Sequence, residues 1–133
     1  MLISTKGRYG LRVMLDLAEH RNEGFVALKD IAERQEMSKK YLEIVVKQLV
    51  TGKLVKGTSG KGGGYHLTRQ PEEYTILEIL KLTESSMSSV ACLEDGAEAC
   101  PNKDKCKTIS MWSGFDKLTK DYFSKITLRD LLC

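Results

Sequence analysis

What this chain of 133 residues lacks narrows it first. No apolar run approaches the roughly 20 residues needed to cross a bilayer. The opening, Met1 to Lys6, has no apolar signal core, so the chain is expected in the cytoplasm with no membrane partner. There is no internal repeat. No Cys/His pair has a catalytic context and no paired-carboxylate site can be placed, so an enzyme is not expected. A phosphate-binding loop is missing too. In Gly57-Thr58-Ser59-Gly60-Lys61-Gly62 the glycines stand too close, and Gly62 follows the lysine where Ser or Thr would reach a magnesium ion.

What is present is the composition of a soluble globular protein, 41% apolar and 29% charged, which excludes disorder and a fibrous repeat. The net charge of +3 conceals an asymmetry. Residues 1–70 carry 13 basic against 7 acidic side chains, whereas residues 71–133 carry 8 against 11. A basic first half points to an anionic partner, nucleic acid above all. All four cysteines, Cys92, Cys100, Cys106 and Cys133, lie in the acidic second half. In a reducing compartment they read as metal ligands, redox groups or plain thiols.

Hydrophobic spacing predicts helices over Thr5 to about His20, Leu28 to Gln35, Lys39 to about Thr51, Ile76 to about Thr83 and Thr108 to Ser124, then a last turn over Leu128 to Leu132. Ser38 is a natural N-cap, and Gly52 is expected as the C′ glycine of the helix that Ser38 starts. Thr75 with Glu78, and Thr127 with Asp130, have capping-box spacing. Leu54-Val55-Lys56 and Tyr65-His66-Leu67 flank a glycine-rich tip and read as a hairpin. The expected fold is mainly α with a small β-hairpin: a winged helix-turn-helix over residues 1–70, then a sensor loop and long dimerisation helix over 71–133.

A helix fits the major groove of B-DNA, and its first turn reaches base edges. That turn is Ser38, Lys39, Lys40 and Tyr41, with Glu43 behind it as an acceptor for a cytosine amine. Lys56 and Lys61 place charge on the hairpin. A solvated lysine face on an all-α core is the plainer reading of the same residues. Cys92, Cys100 and Cys106 share one loop, at a spacing unlike the close pairs of a zinc ribbon. Lys103, Lys105 and Lys107 nearby would favour thiolates. The spacing alone leaves a soft-metal site and three unrelated thiols both open. Ile109, Trp112, Phe115, Leu118 and Tyr122 offer more apolar surface than a lone terminal helix could bury, so they are expected at a dimer interface.

The opening Leu2 to Leu11, the segment Ser38-x-x-Tyr41-Leu42-Glu43, the wing Gly60-x-Gly62-Gly63-Gly64-Tyr65 and the three-cysteine loop, in this order, resemble the IscR/NsrR-like family of bacterial winged-helix transcription regulators. The resemblance covers essentially the whole chain. It implies a homodimeric regulator of a palindromic double-stranded operator. It implies that Cys92, Cys100 and Cys106 hold an iron–sulfur cluster, 2Fe-2S or 4Fe-4S, that sets DNA affinity. Some members instead lack a cluster and sense cysteine metabolism through a protein partner, and the same three cysteines could also serve as a thiol redox switch or a zinc site. Where IscR-like members supply a histidine ligand this chain has Ile109, and where NsrR-like members can use an aspartate it has Arg8. Its two histidines, His20 and His66, lie outside the loop. The remaining iron position is expected to take another side chain, solvent or a small thiol.

Overall fold

The computed structural model describes residues 2–132. Helix α1 (Thr5–Glu19) begins at Ser4, whose hydroxyl accepts from the Gly7 N–H at 3.0 Å. Helix α2 (Leu28–Gln35) stops at Glu36, a left-handed residue with φ 53°. One residue of that conformation turns the chain within three residues into α3 (Lys39–Thr51). The wing follows as antiparallel strands β1 (Val55–Thr58) and β2 (Gly64–Leu67), in a register from Val55 opposite Leu67 to Thr58 opposite Gly64. Helices α4 (Ile76–Thr83), α5 (Ile109–Ser124) and α6 (Leu128–Leu131) complete the chain. Between α4 and α5 lies a loop with single 3₁₀ turns at Ala91–Leu93 and Lys103–Lys105.

A continuous core joins these pieces. Val13, Met14 and Leu17 of α1 meet Leu42, Val45 and Leu49 of α3 and Ile79 and Leu80 of α4, all at most 1% exposed. Tyr74 is fully buried and donates its hydroxyl to the Leu54 carbonyl at 2.7 Å, tying the wing's base to α4. The start of α4 is sewn to the end of α5: Ile76 N–H donates to the Ile126 carbonyl at 2.8 Å, and Leu128 N–H to that of Tyr74 at 3.1 Å.

The wing is also fastened to the segment before α2. Val26 and Tyr65 exchange backbone hydrogen bonds, both 2.8 Å long. Gly64 allows this approach, because a Cβ there would stand 2.3 Å from the Val26 carbonyl oxygen.

Two caps differ from the sequence expectation. Gly52 is not the left-handed residue after α3; it has φ −79°, and Lys53 takes the positive angle, φ 63°. Gly52 instead makes room for Leu82, which would lie 2.4 Å from an added Cβ. The Thr75–Glu78 capping box is half made. Thr75 accepts from the Glu78 N–H at 3.1 Å, but the Glu78 carboxylate is drawn to Arg69 at 2.7 Å. The box at Thr127 and Asp130 is complete.

Asp16 of α1 is the most deeply buried charged group, 1% exposed. It accepts two hydrogen bonds from Arg34 of α2, at 3.0 and 2.8 Å, and one from Gln35 at 2.9 Å. Burial pushes its carboxyl up, but these bonds and the charges of Arg34 and His20 outweigh that and hold it below the usual carboxylate range. A depressed folded pKa contributes stability that is present above the unfolded value and lost as pH falls through the folded one. Asp16→Asn is therefore expected to lower stability at neutral pH through the lost charge pairing, by only about 2 kcal/mol because Arg34, 36% exposed, can turn back to water. The gap should close as pH drops below about 4. Urea midpoints of the two proteins at pH 7 and pH 3 check this; an equal gap at both would remove Asp16 as its source.

Candidate DNA interface and cysteine hollow

Ser38 caps α3 as expected, its hydroxyl accepting from the Tyr41 N–H at 3.1 Å. Leu42, Val45, Val46 and Leu49 face the core. That fixes the helix's rotation and leaves Lys39, Lys40, Glu43, Ile44 and Lys47 exposed. The lysines and Glu43 take no part in any ion pair among the described residues, so their charges are available to a ligand. Tyr41 is half-buried, packed edge-on against Tyr9 of α1 with ring centres 5.3 Å apart. Arg12 stacks over Tyr9 at 5.4 Å and bonds Gln35 at the end of α2. The first turn of α3 is thus braced by α1. Lys56 and Lys61 are exposed on the wing, whose tip turns at Gly60 and Gly62, φ 90° and 77°. His66 is half-buried against the Phe25 ring, centres 4.4 Å apart.

The set expected from sequence on α3, Ser38 to Tyr41 with Glu43, leaves out Ile44 and Lys47, which share the exposed face. Both follow from helical spacing: Lys40, Ile44 and Lys47 fall within about 60° of arc.

Cys92, Cys100 and Cys106 are free thiols that line one hollow of about 300 Å³, together with Leu93, Ala97, Glu98, Lys103 and Ile109. Glu98 is the carboxylate on its wall. Among the described residues no three His, Cys, Asp or Glu side chains stand close enough to hold a single metal ion. Cys133 lies outside the described residues. The Cys106 thiol is held below its usual range by the Thr108 hydroxyl, 3.5 Å away, and by the backbone amides of Thr108 and Ile109. That cause differs from the neighbouring lysines expected from sequence. Arg8 is exposed on α1, bonded to Thr5, and is not part of the hollow.

Helix α5 leaves the hollow with two apolar sides. Ile109, Trp112 and Phe123 are half-buried, on the same side as buried Asp116, which accepts from the Ser89 N–H at 2.9 Å. Met111, Phe115, Leu118 and Tyr122 form a separate stripe, 55%, 42%, 70% and 63% exposed. The expected interface set therefore divides. Its spacing drifts around the helix, and nine residues at about 100° each put Ile109 and Leu118 on opposite sides. Met111 takes the place assigned to Ile109 on the exposed stripe.

A helix-turn-helix braced from behind, a lysine-bearing recognition face and a glycine-tipped wing define a winged-helix DNA-binding regulator. The chain belongs to the Rrf2 family, described as "Iron-dependent Transcriptional regulator", which it matches over residues 3–133. It is 36% identical over 132 residues to the HTH-type transcriptional regulator IscR of Photorhabdus laumondii, covering 99% of this chain and 79% of that one. Among solved structures it is similar to CymR, the global cysteine regulator of B. subtilis, with 35% identity, a TM-score of 0.81 and coverage of 98% and 95% of the two chains. It is similar also to T. potens IscR, with 36% identity, a TM-score of 0.75 and coverage of 98% and 85%. These relatives are named as regulators, in agreement with the expectation that the chain is not an enzyme. Among the described residues no helix is long and apolar enough to cross a membrane.

Proposed function

We propose that this protein is a cytoplasmic homodimer that binds a palindromic operator and adjusts its grip through an iron–sulfur cluster on Cys92, Cys100 and Cys106. The observation that carries the cluster is the convergence of three thiols, from a loop whose only regular pieces are single 3₁₀ turns, on one hollow at the start of α5. A single zinc ion would need its thiolates within about 4 Å of one another, given Zn–S bonds near 2.3 Å. A cluster of several irons holds them further apart and suits a hollow of about 300 Å³ better. When bound, the cluster supplies a redox-active centre that nitric oxide or oxygen can attack. The chain's own part is to present three thiols, with Glu98 as the carboxylate at hand, and to couple the loop to α5.

That coupling has a route. Cys106 adjoins α5, α5 packs on α4, and α4 packs on α3, where Gln48 donates to the Leu82 carbonyl at 3.2 Å. Ligation would order the loop and favour one arrangement of the dimer, a population shift whose size equals the cluster's preference for that arrangement. Residues 1–70 serve as the DNA-binding part and 71–133 as the sensing and pairing part. A redox or protein-partner reading without a cluster has one observation in its favour, the likeness to a cysteine regulator. Iron and sulfide content and the visible spectrum of anaerobically purified protein separate the two: a brown protein supports the cluster, a colourless one the thiol reading.

On the DNA side, Ser38 to Tyr41 with Glu43 enter the major groove while Lys56 and Lys61 meet the backbone beside it. Each phosphate contact released removes close to one unit from the slope of log affinity against log salt. Lys39→Ala with Lys40→Ala should weaken operator binding at least tenfold at 0.1 M salt and flatten that slope by about two. Retained affinity and slope in a folded double variant would place recognition on another element.

A further inference from the structure

We propose that Ile44 is a specificity-determining residue that reads a thymine methyl in each operator half-site. The inference rests on α3 being the recognition helix. Ile44 is 51% exposed and lies outside the hydrophobic core, while its neighbours Leu42, Val45 and Val46 are at most 1% exposed and pin the helix so that Ile44 cannot turn inwards. It stands in one row with Lys40 and Lys47, the apolar member of an otherwise polar face. The other exposed apolar residue of α3, Val50, lies in the last turn, away from the N-terminal half that meets base edges.

Ile44 has no donor or acceptor, so it cannot read the hydrogen-bonding pattern of a base pair. The apolar feature that the major groove presents is the C5-methyl of thymine. A β-branched side chain on a helix is already confined to one main χ1 well, so it loses little freedom on contact. The flanking lysines suit this: they can hold phosphates or a guanine on either side, leaving the methyl contact to set the choice between thymine and cytosine at one position.

The test uses the full-length protein and an operator selected with it. Thymines are replaced one at a time by uracil, which removes the methyl and nothing else. One symmetric pair of positions should weaken binding by about three- to fivefold per methyl, the worth of one buried methyl group. Ile44→Ala should bind the parent operator more weakly, lose the uracil penalty at that pair and accept cytosine there, with the salt slope unchanged because no phosphate contact is lost. Ile44→Val should keep the penalty. No uracil penalty at any thymine, or an Ile44→Ala protein with unaltered base preferences, overturns the proposal while α3 remains the recognition helix through its lysines. Wild-type protein that selects no sequence overturns both.

Discussion

Phe115→Asp is expected to yield a folded monomer with no measurable grip on its operator at physiological salt. The residue sits mid-stripe among Met111, Leu118 and Tyr122 and is 42% exposed, so the carboxylate meets water in the monomer and leaves the core untouched. In a dimer paired through this stripe the same carboxylate would be buried against apolar side chains, a cost of several kcal/mol. Two half-sites bound through one dimer gain avidity that independent monomers lack, so a loss of 10²-fold or more in operator affinity should accompany dissociation. Trp112→Ala gives a contrast. Trp112 is half-buried on the side of α5 that holds Asp116, so its removal should loosen the packing of α5 and act on the dimer only through that. Sedimentation at micromolar concentration, with far-UV dichroism to confirm folding, decides; an intact Phe115→Asp dimer would move the interface elsewhere.

Changing Cys92, Cys100 or Cys106 singly to Ala should abolish iron and sulfide binding in anaerobically reconstituted protein and shift operator affinity to that of the apo form. Three ligands from one loop act together, since losing any one frees the segment the others must hold in place. Cys133→Ala is the control and should change neither property. The affinity shift need not be large. A coupling of 1–3 kcal/mol between two sites corresponds to roughly 5- to 150-fold. Wild-type protein that holds no iron after reconstitution would sink the cluster reading. Oxidant sensitivity of DNA binding in the three variants would then test the thiol reading.

The helices were legible because their signals are local. Ser38 and Thr75 cap where capping chemistry places them, and α2 and α3 span the expected residues. What escaped needed tertiary information. Glu78 has the spacing of a capping box, but Arg69, nine residues earlier, competes for its carboxylate. Gly52 looks like a cap glycine, yet the pressure on it comes from Leu82 on another helix. The expected interface set runs from Ile109 to Leu118 in three steps of three residues, which lag a helix of 3.6 residues per turn, so it mixes the outer stripe with the inner face of α5. That three cysteines share a hollow is invisible in their spacing, because it depends on the path of a long loop that carries only single 3₁₀ turns at Ala91–Leu93 and Lys103–Lys105. Ile44 and Lys47 were legible in principle, from the same periodicity that identified Leu42 and Val45 as core.

The backbone bonds between Val26 and Tyr65, made possible by Gly64, have a consequence for signalling. They lock the wing to the start of the helix-turn-helix, so each reading head behaves as one stiff jaw. In the proposed dimer, a signal arriving along α5 and α4 would then move each jaw as a unit. It would alter the gauge between the two jaws, their separation and relative twist along the duplex. Regulation of this kind would discriminate among operators by half-site spacing, so inserting or deleting a single base pair at the operator centre should mimic or cancel the signal in a way that changing bases within a half-site does not.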